Sequence, residues 1–318
     1  MTLRRYARKI DPSALIAQRI KRLTSISAKL ERFPNMKMSQ MQDIGGCRAV
    51  VKSISAVRRL DALYLASSVK HIRASRDDYI AAPQDSGYRG IHLVYRFVSD
   101  KNKKEYNGLK IEIQLRSQYQ HAWATAVETV GTFVQQALKS SMGEADWLRF
   151  FALMGSAIAI RERSPRVPDT PSGKTELVRE LRHYAKKLDI KNRLRAYGDA
   201  LRTLRGEGQE GTKLENAHYY LLMLDPAAGK LTITGFRQQE IMKASDAYLE
   251  AEKEVQKKPG TDAVLVSVDS LAALERAYPN YFADTRMFID LLDQTLSGQP
   301  GPVSQGQLRL NLEDAEPG

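Results

Sequence analysis

Acidic, amide and guanidinium side chains alternate with apolar ones along one short stretch of the chain. Glu112, Gln114 and Arg116 fall on one face of a predicted strand over 110–116, opposite a face of isoleucine and leucine. Asp43 stands at the mouth of another predicted strand, just after a glutamine and before two glycines. Carboxylate oxygens in such places are ligands of the kind that Mg²⁺ takes. The pattern predicts a polar cleft with a metal at its floor.

A loop enters this cleft directly before the predicted strand 90–98. Pro83, Gly87 and Gly90 interrupt regular structure there, so the segment 78–90 is predicted to be irregular. Tyr88 lies on this loop, in a position to stack on a nucleotide base.

Cations at helical spacing could hold a row of phosphates. Lys21, Ser25 and Lys29 share one stripe of a helix predicted over 13–33. A solvated basic face is the alternative, but Arg19 falls in the apolar sector, where a guanidinium needs a partner or a ring. Phosphate clamps, a metal and a positioned acceptor are what phosphoryl-type transfer from a nucleotide requires.

Several other classes of protein are excluded or disfavoured. The 318 residues include a single cysteine, so an internal disulfide and a cysteine-built zinc site are excluded. No apolar run approaches the ~20 residues that span a bilayer, and the basic N-terminus lacks a secretion signal. We therefore expect a cytoplasmic protein. The chain has no Walker-type glycine loop, and His92 and His121 lack metal-ligand spacing.

Charge is unevenly distributed along the chain. Residues 1–215 hold 40 Lys and Arg against 22 Asp and Glu, whereas residues 216–318 hold 9 against 15. This asymmetry predicts a basic part suited to polyphosphate or nucleic acid and an acidic part that could dock on it. The bland alternative is two domains that happen to differ.

The order of predicted elements is typical of an α+β fold, a mixed sheet flanked by helices, followed by a smaller α+β domain. Further helices are predicted over 144–161 and 174–206, and a hairpin over 217–224 and 230–235. The predicted divisions are a catalytic domain at 1–160, a linker with a long basic helix at 161–214, a small regulatory domain at 215–296 and a disordered tail at 297–318.

Four ordered motifs resemble the RelA/SpoT-type alarmone synthetase domain. They are Arg19-x-Lys21-x-x-x-Ser25-Ile26-x-x-Lys29-Leu30, Asp43-Ile44-x-Gly46-x-Arg48, Asp78-Tyr79-Ile80-x-x-Pro83-x-x-x-Gly87-Tyr88-Arg89-x-x-His92 and Glu112-x-Gln114-x-Arg116-Ser117. In that family a pyrophosphate passes from ATP to the 3′-hydroxyl of an acceptor ribose. The resemblance thus implies a nucleotidyltransferase-like synthetase domain with ATP as donor and Mg²⁺ as cofactor.

The resemblance also implies a role for each motif. It assigns ATP binding to Arg19, Lys21, Ser25, Lys29 and Arg48, with Arg19 stacked on adenine. It assigns Mg²⁺ to Asp43 and Glu112, with Glu112 also a candidate to activate the acceptor hydroxyl. Tyr88 would stack on the acceptor base, and the residues that would support the acceptor side are Arg89, His92, Gln114 and Arg116.

Departures from the family pattern bear on the acceptor. The lysine that follows the loop proline in alarmone makers is Gln84 here, and a serine position is Gly90. Loss of this phosphate clamp favours tRNA, the acceptor of the related toxic small synthetases, over free GDP or GTP. The arginine on the second side of adenine is left open between Arg58 and Arg59.

A tyrosine pair near the C-terminus resembles a motif of the CapRel family, fused toxin–antitoxins of anti-phage defence. In those proteins the C-terminal domain blocks the ATP site until a phage capsid protein relieves the block. The resemblance implies that Tyr278 and Tyr281 are an inhibitory plug. Two half-buried rings that serve packing alone are the structural alternative.

Three functions are consistent with these observations. The first is a self-inhibited pyrophosphokinase that modifies the 3′ end of tRNA and stops translation. The second is a (p)ppGpp synthetase that uses GDP or GTP and carries a sensory or oligomerising C-terminal domain. The third is a catalytically inactive module that binds nucleic acid, against which the intact Asp43, Tyr88 and Glu112 weigh.

Overall fold

A computed structural model defines the architecture. The structure describes residues 2–20, 26–27, 30–31, 33–101, 103–137, 144–195, 217–225, 230–258, 261–267 and 285–298.

Seven α-helices and eight strands have both ends within these described ranges. The helices are α1 (Thr2–Ile10), α2 (Ile54–Leu65), α3 (Gln118–Ala137), α4 (Glu144–Arg161), α5 (Lys174–Lys187), α6 (Ile241–Lys257) and α7 (Arg286–Ser297). The strands are β1 (Leu15–Ile20), β2 (Gly45–Val51), β3 (Ile72–Asp78), β4 (Ile91–Arg96), β5 (Lys110–Ser117), β6 (Tyr219–Asp225), β7 (Lys230–Phe236) and β8 (Asp262–Ser267). Short 3₁₀ turns occupy Met38–Gln40, Lys104–Tyr106 and Gln238–Glu240.

All eight strands form one mixed sheet in the order β3-β4-β5-β2-β1-β8-β6-β7. Neighbours β2 and β5 run parallel, and the other neighbouring pairs are antiparallel. The connection between the parallel strands includes α2 and the β3–β4 hairpin. The predicted α+β class, a mixed sheet with flanking helices, is confirmed.

One face of the central strands is apolar because side chains alternate across a strand. Ile113 and Leu115 of β5 and Leu93 of β4 pack beneath Val57 and Leu60 of α2 in a buried cluster that also includes α1. The predicted alternation of β5 is therefore confirmed, and its polar positions face the opposite side of the sheet.

Four helices form a second core on that opposite side. The cluster joins Trp123 of α3, Phe150 of α4, Leu181 of α5 and Phe288 and Leu292 of α7. The last described helix is thus buried against helices that follow β5 directly in sequence.

The C-terminal strands extend the sheet. β8 pairs antiparallel with β1 at Gln18↔Ser267 and Arg19↔Val266, and α6 packs on β6 and β8 in a third cluster. A small α+β arrangement was predicted here, and it shares its sheet with the N-terminal part of the chain. The predicted domain boundaries stay predictions. No helix among the described residues has the length and apolar character needed to cross a lipid bilayer.

The helix predicted over 13–33 is wrong in its first part, because Leu15–Ile20 is β1. Six residues with apolar positions at several spacings fit either periodicity, and strand pairing on both sides decides the outcome here. Residues 26–27 and 30–31 are helical. The helical face assigned to Arg19 does not apply.

The helix predicted over 174–206 ends earlier than expected. α5 stops at Lys187, and Asp189 takes a left-handed backbone conformation with φ +47° before helix resumes at 190–195. Leu188 and Ile190 on either side are fully buried, so packing fixes this break. By contrast, α4 has the predicted bounds, and α1 was not predicted.

Candidate active site

The polar face of β5 forms the floor of the site. Glu112 lies beside Gly46 in the parallel register with β2, and Gln114 lies opposite His92 of β4. Arg116 completes this face and is buried. Three neighbouring strands therefore bring side chains from separate motifs to one place.

Five side chains close a continuous ring of hydrogen bonds. His92 Nδ1 lies 2.9 Å from Glu112 Oε1, and Gln114 Nε2 donates to Glu112 Oε2 at 2.7 Å. Arg116 Nη2 donates to Gln114 Oε1 and to the Tyr88 hydroxyl, both at 3.0 Å. The Tyr88 hydroxyl also bonds to His92 Nε2, which completes the circle. We call these five residues the hydrogen-bonded ring.

The donors and acceptors of the ring have one consistent assignment with a neutral imidazole. Arg116 can only donate, so the Tyr88 oxygen accepts from it and its O–H points to His92 Nε2. His92 Nδ1–H then donates to the Glu112 carboxylate. This tautomer follows from the hydrogen-bond pattern. The ring thus links the phenol of Tyr88 to the carboxylate of Glu112 through one histidine.

Aromatic contacts fix the ring of Tyr88, which is half-buried. The centroid of the Tyr88 ring lies 5.8 Å from that of Tyr79, 5.4 Å from that of His92 and 6.3 Å from that of Trp123. The planes of each pair meet at a steep angle. The Arg116 guanidinium lies 5.1 Å from the centroid of the same ring. Edge-to-face and cation–π contacts of this kind add specificity of orientation to simple burial.

The loop that carries Tyr88 begins on a capped turn. Asp78 Oδ1 accepts from the backbone N–H groups of Ile80 at 3.2 Å and Ala81 at 3.0 Å. Its Oδ2 pairs with Arg58 and, at 2.9 Å, with Arg76. Burial acts to raise the pKa of Asp78, but Arg58 and these hydrogen bonds outweigh it and hold the pKa below its usual value.

The far end of the loop lies against α4. Gly87 has φ +95°, and a Cβ there would lie 2.7 Å from the carbonyl oxygen of Phe151. A Cβ on Gly155 of α4 would come within 2.9 Å of the Gly87 Cα. Trp123 Nε1 also donates to the Phe151 carbonyl at 2.9 Å. Two glycines therefore allow the backbone of the loop to contact the helix, next to Tyr88.

A small pocket opens between β1, β2 and β5. It is lined by Ala17, Asp43, Gly46, Cys47, Arg48, Glu112 and Gln114. Burial raises the pKa of the Cys47 thiol to about 11, so this cysteine is a neutral thiol at pH 7 and no nucleophile. The chemistry of the pocket therefore rests on its two carboxylates, its arginine and its amide.

Glu112 is ionised at neutral pH. Burial acts to raise its pKa, but the hydrogen bonds from His92 and Gln114 outweigh burial and hold the pKa below its usual value. The negative charge of Asp43 acts to raise the pKa of Glu112, because the two carboxylates repel each other. A cation between them would relieve this repulsion.

These carboxylates fit Mg²⁺ as a partial ligand set. No cluster of three or more His, Cys, Asp or Glu side chains arranged for a metal occurs in the described part of the chain. Mg²⁺ in nucleotide enzymes is usually held by one or two carboxylates, waters and substrate phosphates. Asp43 and Glu112 meet that requirement.

The structure brings together most of the residues predicted for the site. Asp43, Arg48, Glu112 and Gln114 line one pocket, and the hydrogen-bonded ring continues from it through His92, Arg116 and Tyr88. Arg48 is buried on β2 and lies beside Gln114 in the register with β5.

Two other predicted arginines are paired with carboxylates. Arg89, predicted to support the acceptor side, has a side chain that is 2% exposed and pairs with Glu162. Arg58, one of two candidates for an adenine contact, pairs with Asp78, while Arg59 is exposed.

Other predictions concern side chains that the structure does not describe. Lys21, Ser25, Lys29, Tyr278 and Tyr281 lie outside the described residues, and so do most of the tail 297–318. Arg19 is described through its backbone, which places it on β1 opposite Gly46 and Val266. The roles predicted for these six side chains stay predictions.

The sequence interpretation missed three residues that hold Tyr88 or its neighbour Arg89. Tyr79 packs on both Tyr88 and His92, Trp123 packs on Tyr88 from α3, and Glu162 holds Arg89 from the end of α4. Tyr79 belongs to a quoted motif and could have been found there. Nothing in the local sequence around Glu162 indicates its partner, which lies 73 residues earlier.

A family model described as the region found in RelA / SpoT proteins matches residues 18–132. The matched range includes the whole hydrogen-bonded ring and every residue of the pocket except Ala17. Over this range the chain is similar to that region.

One curated relative is similar to part of this chain. GTP pyrophosphokinase YjbM of Bacillus subtilis (strain 168) is 31% identical over 126 residues, which cover 39% of this chain and 59% of that protein. The chain therefore spans less than two thirds of this relative.

The solved structures that match this chain include small alarmone synthetase 1 from Bacillus subtilis bound to its product pppGpp, at 24% identity and a TM-score of 0.38, covering 46% of this chain and 74% of that one. A GTP pyrophosphokinase family protein from Streptococcus pneumoniae has 22% identity and a TM-score of 0.39, covering 49% and 78%.

Proposed function

We propose that the RelA/SpoT-type region makes this protein an ATP-dependent pyrophosphokinase that acts on the ribose hydroxyl of a nucleotide acceptor. The observation that supports it best is the position of Glu112. This carboxylate is ionised and lines a pocket with Asp43. It also belongs to the hydrogen-bonded ring that includes Tyr88, an aromatic residue on which a base can stack. A purely structural polar cluster would not require the second carboxylate.

Each residue of the site has its own role in the proposed reaction. Glu112 accepts the proton of the acceptor hydroxyl, whose oxygen attacks the β-phosphorus of ATP while the bond from that phosphorus to the α-phosphate oxygen breaks and AMP leaves. His92 and Gln114 orient the carboxylate through its two oxygens. Mg²⁺ held by Asp43 and Glu112 would supply positive charge for the polyphosphate.

Tyr88 provides the platform for the acceptor base. Its ring is oriented by Trp123 and Tyr79, and its hydroxyl is held by Arg116 and His92. Because these contacts already hold the side chain of Tyr88, it loses little conformational freedom when a base stacks on it. The same contacts tie acceptor binding to the position of Glu112.

For the acceptor we favour the 3′ end of tRNA. Gln84, which stands where alarmone makers carry a lysine, hydrogen-bonds Tyr79 beside the base platform. Its amide carries no charge with which to grip the phosphates of a free nucleotide. The basic character of residues 1–215 suits a long polyanion. GDP or GTP is the alternative acceptor, favoured by the name of the curated relative.

Regulation by the C-terminal part is the third element of the proposal. β8 pairs with β1 at Arg19, the residue expected at adenine, directly before the segment that includes Lys21 and is predicted to bind phosphates. A change in the C-terminal strands can therefore reach the ATP side through the sheet. By the CapRel resemblance, Tyr278 and Tyr281 would block the ATP site until a phage protein binds.

One assay separates the acceptors. Full-length wild-type protein and a Tyr281→Ala variant receive γ-³²P-ATP and Mg²⁺ with tRNA, GDP or GTP. The full chain is needed because Phe288 and Leu292 of α7 belong to the same buried core as Trp123. We expect label on tRNA, and Glu112→Gln should lower transfer by about 10²-fold or more without loss of ATP binding.

Each outcome has a clear meaning. Label on GDP or GTP alone overturns the tRNA proposal and retains the pyrophosphokinase. No label in either protein overturns the activity and favours the nucleic-acid-binding module. For autoinhibition, Tyr281→Ala should transfer faster than wild type, whereas Tyr106→Ala, an exposed tyrosine in a 3₁₀ turn, should not. Equal rates for both variants overturn the regulatory element.

A further inference from the structure

We infer that Glu162 is a positioning residue for the acceptor side of the site, although it lies beyond the RelA/SpoT-type range 18–132. It follows the last residue of α4 and reaches back to the loop that carries Tyr88. The inference rests on the proposed function, which it deepens by naming how the base platform is held.

Five residues, of which four are buried and Ser164 is half-buried, form a cluster that we call the Glu162 clamp. Glu162 Oε2 accepts from Gln120 Nε2 at 3.0 Å and lies 3.4 Å from Arg89 Nη1, while its Oε1 accepts from the Ser117 hydroxyl. Arg89 Nη2 donates to the Ser164 hydroxyl. The clamp joins the loop before β4, the junction of β5 with α3, and the end of α4.

The clamp is removed from water. The side chains of Arg89 and Glu162 are 2% and 4% exposed, so their pairing is screened little by solvent. An arginine stays charged in proteins, which means that loss of Glu162 would leave a buried cation without its counter-charge. The loop is therefore tied to α4 by an interaction that cannot be exchanged for water at low cost.

The position of Arg89 in the sequence gives the clamp its effect on the site. Arg89 directly follows Tyr88, and Gly87 on the other side of Tyr88 lies against the backbone of α4. Tyr88 is thus fixed from both neighbours, by an ion pair on one side and by close backbone packing on the other. Ser117 directly follows Arg116, so the same clamp also holds the strand end that carries the guanidinium over the Tyr88 ring.

The proposal separates acceptor binding from ATP binding. ATP is expected on the side of Arg19 and Asp43, and none of the five clamp residues lines the pocket that Asp43 lines. Loosening the clamp should move Tyr88 and Arg116 and leave the ATP side unchanged. A general loss of structure would instead affect both substrates.

The test uses the full chain with Glu162→Gln, which removes the charge and keeps the shape. Glu180→Gln is the matched control, because Glu180 pairs with Arg149 at 2.6 Å between two helices without contact to the loop. We expect Glu162→Gln to raise the KM for the acceptor about tenfold with less than a twofold change in the KM for ATP, and Glu180→Gln to change neither. Glu162→Asp should recover part of the loss.

A second measurement does not depend on activity. Amide hydrogen exchange in residues 79–90 should be faster in Glu162→Gln than in wild type or Glu180→Gln. Ser164→Ala, which removes one hydrogen bond from Arg89, should show a smaller change in the same direction and serves if the first variant does not fold. Unchanged exchange in 79–90, or equal rises in both KM values, overturns the clamp. Absence of transfer activity in both wild type and Tyr281→Ala overturns the proposed function instead, and exchange then decides the clamp alone.

Discussion

The hydroxyl of Tyr88 lies 3.0 Å from Nη2 of Arg116, and the same guanidinium stands 5.1 Å from the centroid of the tyrosine ring. One arginine from β5 thus holds both the polar end and the aromatic body of a residue on a separate loop. Strand and loop form one unit at the candidate site, and this relationship leads to the first prediction.

Two substitutions separate the hydroxyl of Tyr88 from its ring. Tyr88→Phe removes the bonds to Arg116 and His92 but keeps the aromatic surface, so we expect a fall in kcat of about tenfold with a small change in acceptor KM. Tyr88→Ala removes the platform as well and should also raise acceptor KM. Steady-state kinetics with the acceptor varied measure both, and Tyr106→Phe serves as control. Equal effects of Phe and Ala on acceptor KM would contradict a stacking role.

His92 should contribute through its orientation of Glu112. His92→Ala leaves Glu112 Oε1 without its Nδ1 donor, and we expect transfer to fall about 10- to 100-fold with little change in ATP affinity. The matched control is His71→Ala, since His71 accepts from Val98 N at 3.2 Å on the far side of the β3–β4 hairpin. A His92→Ala protein with wild-type turnover would remove the ring from the mechanism.

Two glycines with left-handed backbones test how closely the loop contacts α4. Gly87 and Gly108 have φ +95° and +88°, but a Cβ at Gly108 meets nothing within 4 Å, whereas one at Gly87 meets Phe151 O at 2.7 Å. We expect Gly108→Ala to lower the free energy of unfolding by about 1 kcal/mol and Gly87→Ala by roughly 3 kcal/mol or more. Denaturant unfolding measures both. If both variants lose a similar free energy of unfolding, the close contact between Gly87 and α4 does not constrain the loop.

Asp11 should make stability depend on pH. Burial acts to raise its pKa, but hydrogen bonds from Ser13 and from the backbone N–H of Lys52 outweigh burial and hold the pKa below its usual 3.8. Because the folded-state pKa is the lower one, this stabilisation is present above the unfolded pKa and is lost as pH falls through the folded pKa.

Substitution of Asp11 tests this sign. Asp11→Asn should lower the free energy of unfolding on the order of 1–2 kcal/mol at pH 7, and the difference from wild type should shrink below about pH 4. Asp100→Asn, which breaks an exposed pair with Lys70, should change stability by under about 1 kcal/mol at either pH. A gap between Asp11→Asn and wild type that widens in acid would refute the assignment.

Local pattern was sufficient for the floor of the site. The alternation in β5 places Glu112, Gln114 and Arg116 together without knowledge of the rest of the chain, because period two is a property of the strand alone. The bounds of α4 and the β6–β7 hairpin follow from equally local signals. These predictions needed no distant partner.

Long-range pairing decided what the sequence could not. Leu15–Ile20 is a strand because β2 and β8 pair with it on both sides, and β8 lies about 250 residues later. Arg89 was predicted to support the acceptor side, but its buried pairing with Glu162, 73 residues later, has no signal in the local sequence. In both cases the local residues allow two outcomes, and a partner remote in sequence selects one.

The shared edge of β1 and β8 also has a consequence for the order of events during synthesis. β1 precedes β8 by about 250 residues, so it leaves the ribosome well before the strand that covers its outer side. Throughout elongation that side presents unpaired backbone groups, which is the state in which strands join foreign partners. A chaperone or a neighbouring nascent chain would therefore meet β1 before β8 does, and the rate of translation sets how long this exposure lasts.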